Sequence, residues 1–155
     1  MKKIVINTKH GGFGLSAAAV KKYLELSGKE CHFFKTGTNT NDVQPITLEE
    51  ATQNTFWTAF TVPSPEQYLN LTKPWAAFSQ TEQDEFNDVW DSIAFYSTNL
   101  DRDDEKLVQV VEELGETANC EFSQLKIVEI PEDVEWYIQD YDGVEWIAEK
   151  HRTWN

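Results

Sequence analysis

The residues best placed for chemistry are three glycines near the start of the chain and two arginines far from them. Gly11-Gly12-Phe13-Gly14 follows a short apolar run, Lys3-Ile4-Val5-Ile6-Asn7, and precedes Ser16, a good helix N-cap. Glycines let backbone N–H groups approach an anion closely, and a helix N-terminus adds the positive end of a dipole. Such a loop could capture a phosphate or a nucleotide, with Asn7 at the strand end and with Lys9 and His10 supplying charge or a proton donor. The spacing fits neither G-x-G-x-x-G nor G-x-x-x-x-G-K-[ST]. The same residues therefore also describe a tight turn with Phe13 plugging the core.

Arg102 and Arg152 are the only arginines in the chain. A guanidinium suits a two-pronged grip on phosphate or carboxylate. Arg102 stands between an expected strand and helix, where ligands gather in open α/β sheets, and Arg152 follows His151 near the C-terminus. Each could equally form a salt bridge in so acidic a chain. The expected ligand-binding set is Asn7, Gly11, Gly12, Phe13, Gly14, Arg102, His151 and Arg152. Asp140 and Glu145 fall on one face of an expected hairpin, as a metal site or acid/base pair would need, or as two solvated acids. Ser16 reads as a cap rather than a nucleophile, Ser97 has no local signature, and the histidines and the two cysteines, Cys31 and Cys120, lack ligand spacing. No catalytic residue, metal or cofactor is expected.

The net charge of −14 is unevenly spread. Residues 1–40 hold seven lysines against two acids, a balance of +5. Residues 41–100 hold one lysine against nine acids, and residues 101–150 four bases against sixteen acids, balances of −8 and −12. The glycine loop thus lies in the one basic segment. The remaining acidity argues against direct nucleic-acid binding and favours solubility, or a basic partner. The 155 residues suit one domain, and twenty aromatic side chains (six Trp, five Tyr, nine Phe) argue for a folded one. The sequence offers no 20-residue apolar run and no secretory leader pattern, so the expected location is the cytoplasm, away from membranes.

These residues need positioning elements. Residues 3–7 read as a buried strand. Ser16 caps a helix over roughly 17–27, with Val20, Tyr23 and Leu24 on one stripe and Gly28 ending it. A strand at 31–35 would complete a β-α-β unit with a parallel pair. Residues of about 36–90 form a partly irregular insertion, with a capping box at Thr47–Glu50, a short helix opening at Ser64-Pro65, and a clearer helix over 81–91. Then follow a strand at 93–97, a helix from Asp103 or Asp104 to about Ala118, and a strand at 125–130. Asp142-Gly143 between two β-prone runs predicts a type I′ hairpin, pairing Tyr141 with Val144, Ile138 with Ile147 and Trp136 with Glu149. Both hairpin faces carry apolar residues, so it should be covered on both sides or form part of an interface. The expected fold is a single α/β domain (1–155), a mixed β-sheet with flanking helices and a C-terminal antiparallel hairpin.

The stretch Ile4-Val5-Ile6-Asn7-Thr8 with Gly11-Gly12-Phe13-Gly14-Leu15-Ser16 resembles the opening of a family of small hypothetical proteins common in phage genomes. Leu107-Val108 to Gly115, the strand Leu125–Pro131 and the tail Tyr141-Asp142-Gly143 with Glu145, Glu149, His151, Arg152 and Trp154 resemble its second half. Lys9-His10 departs from it, since a Cys and an aromatic residue are expected there. The resemblance implies a phage accessory protein acting in the host cytoplasm, and brings no catalytic residues. Three functions follow as expectations. The first is a non-enzymatic binder of a phosphorylated or nucleotide-like small molecule, sequestering a host defence signal. The second is an acidic inhibitor of a basic host protein, or a nucleic-acid mimic. The third is a small nucleotide-processing enzyme. Homo-oligomer formation stays open.

Overall fold

The computed structural model describes residues 1–36, 43–54, 56–71 and 73–151. In chain order the regular elements are β1 (Lys2–Asn7), α1 (Ala17–Leu26), β2 (His32–Thr36), β3 (Val43–Pro45), α2 (Leu48–Gln53), β4 (Thr58–Phe60), α3 (Gln80–Ile93), β5 (Ala94–Phe95), α4 (Glu105–Leu114), β6 (Leu125–Ile130), β7 (Trp136–Tyr141) and β8 (Val144–Glu149). This is a mixed α/β architecture with several small sheets, and the C-terminal pair is the antiparallel hairpin expected from Asp142-Gly143. Among the described residues, no helix is long and apolar enough to cross a membrane.

Two compact units divide the chain, residues 1–23 with 97–155 and residues 24–96. In the first, β1 pairs antiparallel with β6 over its whole length, from Lys2 opposite Ile130 to Asn7 opposite Leu125. The expected parallel partnership of β1 with the strand at 31–35 does not form, because β2 pairs with β3 and β4 instead. Ile4, Val5, Ile6 and Asn7 are consecutive and all buried, so both faces of β1 are covered. The apolar stripe of α4, Leu107, Val108, Val110 and Val111, is buried. Lys3 on β1 reaches Glu112 on α4 at 2.6 Å, and Lys22 on α1 pairs with Glu113. Asp104 caps α4 by accepting from Lys106 N and Leu107 N, and also accepts from the Tyr23 hydroxyl at 2.7 Å. Gly115 then ends the α-helix with a positive φ of 55°, so residues 115–118 form a 3₁₀ turn where the helix was expected to continue.

In the second unit, β3, β2, β4 and β5 form a four-stranded antiparallel sheet. Much of the stretch expected to be irregular is regular here. The capping boxes at Thr47–Glu50 and Ser79–Glu82 both close. An aromatic core of Phe34, Phe60, Phe78 and Phe86 packs with Trp75 and Trp90, mostly edge to face at 4.9–5.9 Å between ring centres. The strand expected at 93–97 is a correction. The amphipathic pattern of α3 runs through Ile93, leaving two strand residues, and Ser97–Asn99 turn as a 3₁₀ segment.

Candidate functional site

The hairpin returns to the N-terminal loop, and that junction holds most of the expected site residues. The two-residue turn is built as its chemistry requires: Asp142 and Gly143 have φ of 49° and 88°, the left-handed pair of a type I′ turn. Gly143 is needed for a second reason. A Cβ there would lie 2.5 Å from the amide nitrogen of Gly12 and 2.7 Å from that of Gly11. The glycine loop and the hairpin turn therefore meet backbone to backbone. Gly11, with φ of 126°, is similarly closed on its other side, where a Cβ would lie 2.8 Å from the Phe122 carbonyl oxygen.

Asn7 ties the junction together. It is fully buried, and its side-chain amide donates to the carbonyls of Lys9 and Gly143 at 2.7 Å each. Its Oδ1 accepts from Gln124 N at 2.9 Å and from Lys9 N at 3.3 Å. Its backbone N–H donates to Glu145 Oε1 at 2.7 Å. Glu145 also takes a two-pronged grip from Arg102, Nη1 to Oε1 at 2.6 Å and Nη2 to Oε2 at 2.9 Å. The Arg102 guanidinium lies over the Phe13 ring, 3.6 Å from its centre. Both charged side chains are largely shielded, 19% and 10% exposed. Ser123 completes the other flank, buried, donating to Gly14 O at 2.8 Å and accepting from Cys120 N at 3.0 Å.

Six of the expected residues thus converge: Asn7, Gly11, Gly12, Phe13, Gly14 and Arg102. What they converge on is the protein's own hairpin. Arg102, expected to grip an external anion, is compensated by Glu145 and stacked on Phe13. Asn7 has its polar atoms satisfied internally. His151 lies exposed beyond β8 and has no hydrogen bond or ion pair among the described residues, and Arg152 lies outside them. The expected carboxylate pair forms by register, Asp140 opposite Glu145, but Glu145 turns to Arg102 while Asp140 stays exposed. Among the described residues none of the Gly11–Gly14 amides donates a hydrogen bond, whereas His10 Nδ1 lies within hydrogen-bond distance of the Asp142 carbonyl, 3.2 Å away, and 3.5 Å from the Asp142 carboxylate.

The outward face of the hairpin is the larger exposed feature. Tyr137, Tyr141 and Trp146 stand on it, 37%, 74% and 43% exposed. Gln139 fixes two of them, donating to the Tyr137 hydroxyl at 3.0 Å and accepting from Trp146 Nε1 at 2.9 Å. The opposite face, with Trp136, Ile138 and Ile147, is partly buried on the side of Glu145. The hairpin is therefore covered on one side and open on the other. Residues 131–150 carry seven acids against Lys150, and every acid except Glu145 is exposed. Sequence reading named the residues of the junction, yet missed that Glu145 is the partner of Arg102. The signal was a carboxylate placed next to a hairpin turn that must return to the sheet. Comparison of the chain with protein-family models, with curated proteins and with solved structures finds no match.

Proposed function

We propose that this chain is an acidic binding protein that captures a basic protein on the outward face of its hairpin. The observation that carries this reading is the exposed aromatic row Tyr137, Trp146 and Tyr141 set among exposed acids. Tyr and Trp offer large contact area with a polar handle, and are enriched where proteins meet. Surrounding carboxylates would steer a positively charged partner onto them. The resemblance to phage proteins supports a host protein in the host cytoplasm as that partner. A labelled octapeptide of alternating lysine and valine tests this. It should bind, weaken steeply between 50 and 300 mM salt, and lose about 10-fold or more in affinity to Tyr141→Ala. A glutamate/valine peptide should not bind. No binding of the basic peptide, or binding indifferent to salt and to Tyr141, overturns the reading.

A second reading, capture of a phosphorylated or nucleotide-like small molecule, is supported by the Gly11–Gly14 amides, none of which donates a hydrogen bond among the described residues. It predicts that a nucleotide at 100 times its Kd raises unfolding free energy by about 2.7 kcal/mol. A library of nucleotides and inorganic phosphate that leaves the melting temperature unmoved would remove it.

A further inference from the structure

The hairpin has one bonded seam, between β7 and β8, and the outer edge of β7 carries no further strand. Lys150 N donates to Glu135 O at 2.9 Å, which fixes the parity of the ladder. Glu135, Tyr137, Gln139 and Tyr141 direct their N–H and C=O groups toward β8. Trp136, Ile138 and Asp140 must direct theirs the other way. Among the described residues these outward groups meet no partner, and β7 has no second neighbour in its sheet. Natural sheets guard such an edge with lysine, proline, a bulge or a covering segment. The β7 sequence Trp-Tyr-Ile-Gln-Asp-Tyr has no lysine and no proline, and its pairing with β8 is unbroken by a bulge. By contrast β6, also bonded to one neighbour, carries Lys126 and is closed by Pro131.

We infer that β7 accepts an extended, lysine- or arginine-rich segment of a partner protein as a third strand of the β7–β8 sheet. This rests on the proposed function and names its mode of binding. Main-chain hydrogen bonds to Trp136, Ile138 and Asp140 supply the register, as in strand-addition complexes. Alternate side chains of the added strand lie beside Tyr137 and Tyr141 on the outward face. The occupant is basic because Glu132, Asp133, Glu135, Asp140 and Asp142 border this edge and are all exposed. The same charge repels a second copy of the chain, which would bring β7 against β7.

The test uses the full chain and the lysine/valine octapeptide, with a matched peptide N-methylated at every non-terminal residue. Methylation removes the donors along both edges of the peptide and leaves every charge in place. The parent peptide should slow hydrogen exchange at Trp136, Ile138 and Asp140 by about 10-fold or more. Tyr137, Gln139 and Tyr141, already bonded to β8, should change little. The methylated peptide should bind about 10-fold more weakly. On the protein side Asp140→Pro removes one outward donor without touching the β8 seam, and should weaken binding beyond what Asp140→Asn does. Equal binding of the two peptides overturns strand addition while leaving an acidic binding face. No binding of either overturns the proposed function as well. A homodimer that Asp140→Pro dissociates overturns the inference by giving the edge to a second copy.

Discussion

Replacing Glu145 by Gln is the sharpest test of the junction between hairpin and glycine loop. The substitution keeps volume and removes the charge. Glu145 accepts three hydrogen bonds, two from Arg102 and one from the Asn7 backbone, in a setting where the two side chains are 10% and 19% exposed. Removing one partner of a buried pair leaves the other charge without compensation, which costs roughly 3–5 kcal/mol in a fully buried site. Residual exposure and the stacking of Arg102 on Phe13 place the expected cost at the lower end, about 3 kcal/mol. For a chain of this size that is a fall in melting temperature of about 6–12 °C. Arg102→Met should cost a similar amount, because it leaves a shielded carboxylate. The double variant should lose much less than the two singles together, with a coupling of at least about 1.5 kcal/mol. Urea unfolding of the four proteins measures this. Single losses below 1 kcal/mol with no coupling would refute the claim that the pair anchors the hairpin.

Three further outcomes follow from the geometry. Gly143→Ala should destabilise by about 2–4 kcal/mol, from the contact with the Gly11 and Gly12 amides together with a φ of 88°; Gly28→Ala, at φ 71° with open space around it, should cost about 1 kcal/mol, and similar losses at both sites in denaturant melts would contradict the close approach. Asp104→Ala removes the α4 cap and the acceptor of the Tyr23 hydroxyl, so about 2 kcal/mol should be lost by thermal unfolding, and a loss under 0.5 kcal/mol would count against both contacts. Hydrogen bonding to Lys73, and then to the Ser79 backbone, holds the Glu82 carboxyl below its ordinary 4.5. Its contribution is therefore present above that value and lost as pH falls through the lowered one, so Glu82→Gln should flatten part of the acid limb of stability below about pH 4.5. An unchanged acid limb would show that Glu82 contributes nothing there.

Local structure was legible in the sequence where one residue decides it. Asp142-Gly143 specified the hairpin and its register, Ser16 and Thr47 marked helix starts, and the strands at 3–7 and 125–130 fell within a residue of their observed bounds. Strand partnership was not legible. A strand, a helix and a strand read as a parallel unit by proximity in sequence, whereas β1 pairs with β6, more than a hundred residues away. Nothing local in either strand encodes that choice. The site shows the same division. The glycines, Asn7 and Arg102 were identifiable as a group, yet their role turned on Glu145, a residue whose position depends on the hairpin folding back. Asn7 and Arg102, satisfied internally, hold the hairpin in place, and the hairpin's aromatic face stays exposed.

The most direct test of the binding account is an amide-resolved NMR titration of the full chain with the lysine/valine peptide at low salt. Shift changes centred on residues 136–149, reversed by 300 mM salt, are the predicted result. Changes confined to the Gly11–Gly14 loop, or none at saturating peptide, would contradict it.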